Sequence, residues 1–234
     1  MKKTLIALAI SAASITSASA QDLTINFTNL THGSHFTPLI FSAHAADQHI
    51  FEINTEASAS VQAMAEGGDT ASIASDLAAL NADVVSSPAP GGLTEPGQSV
   101  TFDMTTQALN THLSMTAMVL PSNDGFVGLD ALAIPTAVGT YTFYLNAYDA
   151  GTEANDEVLA GMPGGAPGVA GFPADPLGMA GANATGVTTA ETNTNIHIHR
   201  GVIGDVDTEG GISDIDSRIH RWLNPVARLI IEVK

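Results

Sequence analysis

Hydrophobic and polar residues alternate in several short runs along the chain. Leu23-Thr24-Ile25-Asn26-Phe27 has the period of two expected of a strand with one buried face. The same period returns in Val100-Thr101-Phe102-Asp103-Met104, and in Leu113, Met115, Ala117 and Val119 of the run that ends at Pro121. Between Thr140 and Ala147, Tyr141, Phe143 and Leu145 alternate with Thr142, Tyr144 and Asn146. Ala227, Leu229, Ile231 and Val233 form a last strand. Phe36 to Ala43 reads as an extended stretch after a turn at Thr28–Gly33. Asn195 to Arg200 also has strand pattern, with Ile196 and Ile198 inward and His197 and His199 outward.

Two stretches depart from this period. Glu56 to Asn81 is rich in Ala and Ser and poor in β-branched residues. Val61, Met64 and Ala65 fit one short helix, Ile73, Leu77 and Leu80 a second, and Gly67-Gly68-Asp69 separates them. Residues 161–186 are dominated by Gly, Ala and Pro. Proline removes ladder donors and glycine weakens strands, so this is an extended surface loop. Ser87-Pro88-Ala89-Pro90-Gly91-Gly92 is a further loop, and Glu95-Pro96-Gly97-Gln98 a turn. The whole pattern predicts an all-β fold: an antiparallel β-sandwich with short inserted helices and a long Gly/Pro/Ala-rich loop.

The first 20 residues read differently. Met1-Lys2-Lys3 is a basic start, Thr4 to Ile15 an apolar run, and Ala18-Ser19-Ala20 an A-x-A cleavage site, the three parts of a secretory signal peptide. The run is too short to span a bilayer, and no later one approaches the roughly 20 residues required. The expected organisation is a leader over 1–20 and one β-sandwich over 21–234, exported to the periplasm or the extracellular medium. The sequence has no cysteine, so neither a lipid anchor on cysteine nor a disulfide is available to it. A bound cation is a substitute, because a ligand that binds only the folded state stabilises it.

Charge narrows the function further. The chain has 7 basic and 24 acidic residues, a net charge of −17. Loss of Lys2 and Lys3 with the leader makes this −19. Such a surface repels phosphates, which excludes nucleic acid as a partner, and favours solubility and cations. Adaptation to a salty habitat is the competing explanation of the same charge.

Two acidic segments carry the candidate chemistry: Pro121-Ser122-Asn123-Asp124-Gly125-Phe126-Val127-Gly128 and Tyr148-Asp149-Ala150-Gly151-Thr152-Glu153. Each follows a strand and sets carboxylates beside a glycine. Calcium takes six to eight oxygens from carboxylates, carbonyls and water, and two loops at one end of a sandwich can supply them. Asp149 and Glu153 lie four apart around Gly151, so a curl of the chain aims both at one ion. Asp and Gly together otherwise mark only turns.

In this order the two segments resemble the spondin domain (the spondin N-terminal family, known from F-spondin and from many bacterial secreted proteins). The matching residues are Pro121-Ser122-x-Asp124-x-x-Val127-Gly128, then Asp149-Ala150-Gly151-Thr152-Glu153. Phe27-Thr28-Asn29-Leu30-Thr31, Ala65-Glu66-Gly67-Gly68 and Val226-Ala227-Arg228 support them, so that the resemblance covers nearly all of 22–234. It implies a C2-like sandwich, calcium held by Asp124, Asp149 and Glu153, and a role in adhesion or matrix contact. The chain departs from the family in Gly125, where an aromatic is common, in Glu153, where Asp is usual, and in having no cysteine.

Other constellations are weaker. His197 and His199, two apart on a strand, can share one copper or zinc ion, but no third ligand is spaced to join them. Asp205-Val206-Asp207-Thr208-Glu209-Gly210 departs from an EF-hand at its third and last ligand positions, and reads as an acidic loop. No Gly-x-Ser-x-Gly, His-Glu-x-x-His, phosphate loop or cysteine nucleophile is present, so the chain is not expected to be an enzyme. The expected function is a calcium-binding, non-catalytic binding or adhesion module with an extracellular protein or glycan as partner. The alternatives are a copper or zinc protein using His197 and His199, and a structural domain with no ligand.

The leader expectation has a direct test. Intact-mass measurement of the exported protein should give a chain that begins at Gln21; a mature form retaining Met1 would contradict it.

Overall fold

The computed structural model describes residues 19–86, 92–160 and 167–234. Residues 1–18, which the sequence reads as part of a leader, most of the loop at Ser87–Gly92 and residues 161–166 of the long loop lie outside the described residues. In chain order the strands are β1 (Asp22–Asn29), β2 (His35–Phe36), β3 (Ile40–His44), then helices α1 (Ala59–Gly67) and α2 (Ala71–Ala79). They are followed by β4 (Asp83–Ser86), β5 (Ser99–Thr105), β6 (His112–Leu120), β7 (Gly125–Ala133), β8 (Gly139–Asp149), β9 (His197–Ile198) and β10 (Ala227–Val233).

All named strand pairs are antiparallel. The sheet runs β4-β3-β6-β7-β8-β10-β1-β5, with β2 on β6 and β9 on β8. Its two ends come together: the Asp83 carboxylate at the start of β4 accepts from the Gln107 amide at 2.6 Å and from Asn110 at 2.9 Å, just beyond β5. The sheet is therefore nearly closed, an all-β, sandwich-like fold as the alternation predicts.

The alternating positions meet inside. Leu23, Ile25 and Phe27 of β1 and Leu229, Ile231 and Val233 of β10 pack with Leu113, Met115, Ala117 and Val119 of β6. Phe41 of β3 ties the two sides, with its ring 5.1 Å from Phe102 and 6.4 Å from Phe27. The opposite face of β6 is buried too, because the helices cover it. Met64 and Val61 of α1 and Ile73 and Leu77 of α2 pack on Ile40, Met118, Leu120 and Phe126. Burial on both faces forces the polar residues of β6 to pair: the Ser114 hydroxyl bonds His44 Nε2 at 2.7 Å.

The helices stop and start where expected. The Ser58 hydroxyl accepts the Val61 amide at 3.2 Å at the start of α1, and Gly68, at φ +72°, caps its end. Leu80 falls just past α2 and is exposed rather than packed. The β4 and β7 strands are additions to the sequence reading, and β7 begins inside the first acidic segment. The described part of the long loop has no named strand, as its composition predicts, but it does not drift over the surface. Phe172 is fully buried beside Val202 and Ile215, and the Phe172 amide donates to the Val158 carbonyl at 2.9 Å.

The segment around β9 corrects the expected facing. Ile196 is buried as predicted, but Ile198 is exposed and His199, expected outward, is buried. The reason is contact on both sides of the imidazole: its ring centroid lies 4.9 Å from that of Trp222, and Gly125 closes its other side. His199 Nδ1 accepts the Gly201 amide at 2.9 Å, and burial pushes the ring's pKa down to about 4, so it stays neutral. His197 remains half-buried. His199→Ala should therefore lower stability by roughly 2–4 kcal/mol, as truncation of a buried ring does. His197→Gln should leave the melt nearly unchanged. Urea unfolding of the two variants checks both; equal stability would contradict the buried placement.

Candidate functional site

The register of two strands builds the site. The start of β7 pairs with the end of β8, Gly125 opposite Asp149 and Val127 opposite Ala147. Asp124 immediately precedes Gly125, so it stands beside Asp149 although the two are 25 positions apart in the numbering. The turn before β7 is held by Ser122, whose hydroxyl accepts the Gly125 amide at 3.1 Å and donates to the Val119 carbonyl at 2.6 Å. A Cβ at 125 would lie 2.7 Å from Ser122 Oγ and 3.1 Å from His199 Cδ2, so any larger side chain there would displace both neighbours. A Cβ at 128 would lie 2.7 Å from the Phe51 ring.

The second acidic segment folds back over the first. The Ala150 amide donates to the Asp124 carbonyl at 3.2 Å. Gly151 has φ +69°, and a Cβ there would lie 2.7 Å from the Asn193 carbonyl, so only glycine turns the chain at this point. The turn directs the amides of Thr152 and Glu153 at Asp124 Oδ2, at 2.8 and 3.4 Å. Asp149 is held in turn by the Gly151 amide at 2.9 Å and by Asn155 Nδ2 at 2.7 Å.

All three sequence-predicted carboxylates are buried: Asp124 is 0% exposed, Asp149 2% and Glu153 5%. Asp124 Oδ1 and Glu153 Oε1 are buried without a hydrogen-bond partner among the described residues. Burial, then the negative charge of Asp149, pushes the Asp124 pKa up to about 7 against the pull of the Thr152 and Glu153 amides. Burial pushes Glu153 up to about 9, and the charges of Glu66, Asp124 and Asp156 add to it. Among the described residues, the leading charges acting on the two groups are all carboxylates.

Glu66 and Asp156 are the members that the sequence reading gave no role. Glu66 sits in the last turn of α1, buried, accepting from Gln62 Nε2 at 2.8 Å and from the Gly168 amide of the long loop at 3.0 Å. A glutamate at a helix C-terminus opposes the helix dipole, and that misplacement before Gly67-Gly68 was the available signal. Asp156 accepts from Asn123 Nδ2 at 2.8 Å. Among the described residues, no three His, Cys, Asp or Glu side chains converge tightly enough to hold an ion by themselves. A cation here needs carbonyl and water oxygens as well, which is the ordinary composition of a calcium shell.

The histidine pair does not form a second centre. His197 Nε2 lies 3.7 Å from Asp149 Oδ2, at the edge of the acid cluster, whereas His199 is enclosed by Trp222 and Gly125. The acidic loop near the C-terminus satisfies its own carboxylates. Asp205 Oδ2 accepts the Ile212 and Ser213 amides at 2.7 and 3.1 Å, and Arg218 pairs with Asp216.

The arrangement is thus an all-β sandwich with carboxylates from adjacent connections buried together at one end. Over residues 20–158, more than half of its length, the chain matches the Spondin_N family, and it belongs to that family. No curated protein matched it. The matched segment spans β1 to β8 and contains Asp124, Asp149, Glu153 and Glu66. Among the described residues no helix is long and apolar enough to cross a membrane.

The raised pKa values fix the sign of a pH dependence. A carboxyl that titrates higher in the folded than in the unfolded state keeps its proton longer when folded, so stability is lost as pH rises through the folded value. In EDTA the protein should melt several degrees higher near about pH 5.5 than near about pH 8, since one kcal/mol moves a domain of this size by roughly 2–4 °C. Glu153→Gln should flatten most of that slope, and Asp124→Asn the part of it below about pH 7. Calorimetric melts across the range check it; a melt that rises toward alkaline pH would contradict it.

Proposed function

We propose that the chain is an exported, non-catalytic binding module of the spondin type whose buried acid cluster takes calcium. The observation that carries this reading is the pair of buried oxygens, Asp124 Oδ1 and Glu153 Oε1, without a hydrogen-bond partner among the described residues, in a cluster whose leading charges are carboxylates. Leaving such groups bare costs folding free energy, and a divalent cation removes both the missing contact and the repulsion. Asp124 and Glu153 supply the open oxygens, Asp149 adds charge beside them, and loop carbonyls and water complete the shell. Bound calcium would tie the β6–β7 connection to the segment after β8, which gives the loop end a fixed shape for a protein or glycan partner. The absence of a nucleophile or metal-hydrolase motif supports a role without catalysis.

Calcium should raise the stability of the exported protein, by roughly 2.7 kcal/mol at free calcium about 100 times the dissociation constant. The gain should grow with pH, because the ion requires Asp124 and Glu153 without their protons. Magnesium should substitute poorly, since it demands tight octahedral geometry and sheds water reluctantly. Asp124→Asn and Asp149→Asn should each remove most of the effect, and Glu153→Asp should only weaken it. Titration calorimetry with parallel thermal melts measures this; identical melts in EDTA and millimolar calcium would overturn the assignment.

A further inference from the structure

From Gln21 to His199 the chain has neither lysine nor arginine; all five basic residues beyond the leader fall between Arg200 and Lys234. Two of them fall on adjoining segments. The segment His199–Gly201 lies against Arg221–Leu223: a Cβ on Gly201 would sit 2.7 Å from the Trp222 carbonyl, and the His199 and Trp222 rings meet at a tilt of 54° with centroids 4.9 Å apart. Arg200 and Arg221 therefore stand on neighbouring segments, both exposed. Among the described residues neither has a carboxylate within ion-pair distance, whereas Arg218 is engaged by Asp216. Leu223 projects beside them, 80% exposed, over an open hollow of about 490 Å³ lined by Ser217, Arg221, Trp222 and Leu223.

An isolated basic patch with an apolar knob is a surface with a partner of definite chemistry. Arginine is enriched at protein interfaces and lysine and glutamate depleted, and here two exposed arginines stand beside an exposed leucine. Arginine's planar fork also matches carboxylates two at a time. Leu223 and the hollow call for an apolar side chain, which a polysaccharide does not carry. A bilayer needs more than one such anchor, and anionic lipids would repel the remaining acidic surface. A second copy is disfavoured by the mutual repulsion of two chains at −19 each.

We propose that the face formed by Arg200, Arg221 and Leu223 docks an acidic segment of a partner protein, with an apolar side chain of that segment seated against Leu223. This surface is separate from the acid cluster and does not require calcium.

The test uses the full exported protein in EDTA and a fluorescein-labelled synthetic peptide, Glu-Glu-Leu-Phe-Asp-Glu, followed by fluorescence polarisation. The peptide should bind in a salt-sensitive manner. Combined Arg200→Gln and Arg221→Gln should weaken binding about tenfold or more, and Leu223→Ser similarly, while the melts stay unchanged because these side chains are exposed. Lys234→Gln, at the far end of β10, should bind as the unsubstituted protein does. Lack of binding, equal binding of Glu-Glu-Ser-Ser-Asp-Glu, or insensitivity to the arginine and leucine substitutions would overturn the proposal. So would Arg221-dependent retention on heparin or phosphatidylserine vesicles without peptide binding.

Discussion

The loop end of the sandwich depends on one unusual electrostatic arrangement, the burial of Asp124 beside Asp149 with only neutral donors, backbone amides, the Thr152 hydroxyl and the Asn155 amide, hydrogen-bonded to the two. Everything near it serves that placement. The β7–β8 register sets Gly125 opposite Asp149 and so brings Asp124 beside it, Ser122 fixes the approach, and Gly151 turns the chain back so that two amides face one oxygen. Amide donors favour the charged carboxylate, yet burial and mutual repulsion outweigh them, as the raised pKa values show. The fold thus holds a site in a state that a cation or protons relieve. Such a site carries a cost, and its neighbours are tightly packed glycines and aromatic rings that keep it from relaxing.

The acidic composition has a second use in the irregular stretch after β8. With no cysteine, this stretch has no covalent ties, and carboxylates take the place of cross-links. Glu157 accepts from the amides of Ile203 and Gly204 at 2.6 and 2.8 Å and from Ser213 at 2.7 Å. Asp214 accepts from Leu159 at 2.9 Å and Ala184 at 3.2 Å. Each joins segments tens of residues apart, and each satisfies amides that no strand ladder reaches. Charge-assisted bonds of this kind are stronger than neutral ones, so a Gly- and Pro-rich stretch becomes a packed layer. Part of the negative charge is therefore structural, quite apart from any habitat or ligand.

The alternation of β1, β5, β6, β8 and β10 was legible because each has one face against the core. The helices were legible for the same reason at the other period. What failed was facing where the strand is too short for alternation to be enforced. β9 has two residues, and the fate of His199 is decided by Trp222, 23 positions on, which no local pattern contains. Gly125 looked like a simple departure from the family, and its meaning lies in Ser122 and His199. Asp124, Asp149 and Glu153 were brought together by motif and family order, whereas Glu66 was invisible as a neighbour because its proximity depends on how α1 packs on β6 and β7. The burial of Phe172 was equally hidden, since one aromatic in a Gly/Pro stretch has no period to reveal it.

The family match ends at residue 158, but the fold does not. β10 lies between β8 and β1 and pairs with both along its full length, Ala227 opposite Leu145 and Val233 opposite Leu23. Leu229 and Ile231 are fully buried in the same core as Phe27 and Leu113. Without residues 227–233 the sheet would be split at its middle, leaving two open edges and an uncovered apolar face. β9 and Trp222 likewise close the back of the acid site through His199. The segment that the family match covers supplies the carboxylates, and the segment beyond it supplies the strand that joins the two halves of the sheet that bears them. The acid site and the basic face are in this way parts of one folding unit, because the same stretch of chain that completes the sheet carries Arg200, Arg221 and Leu223.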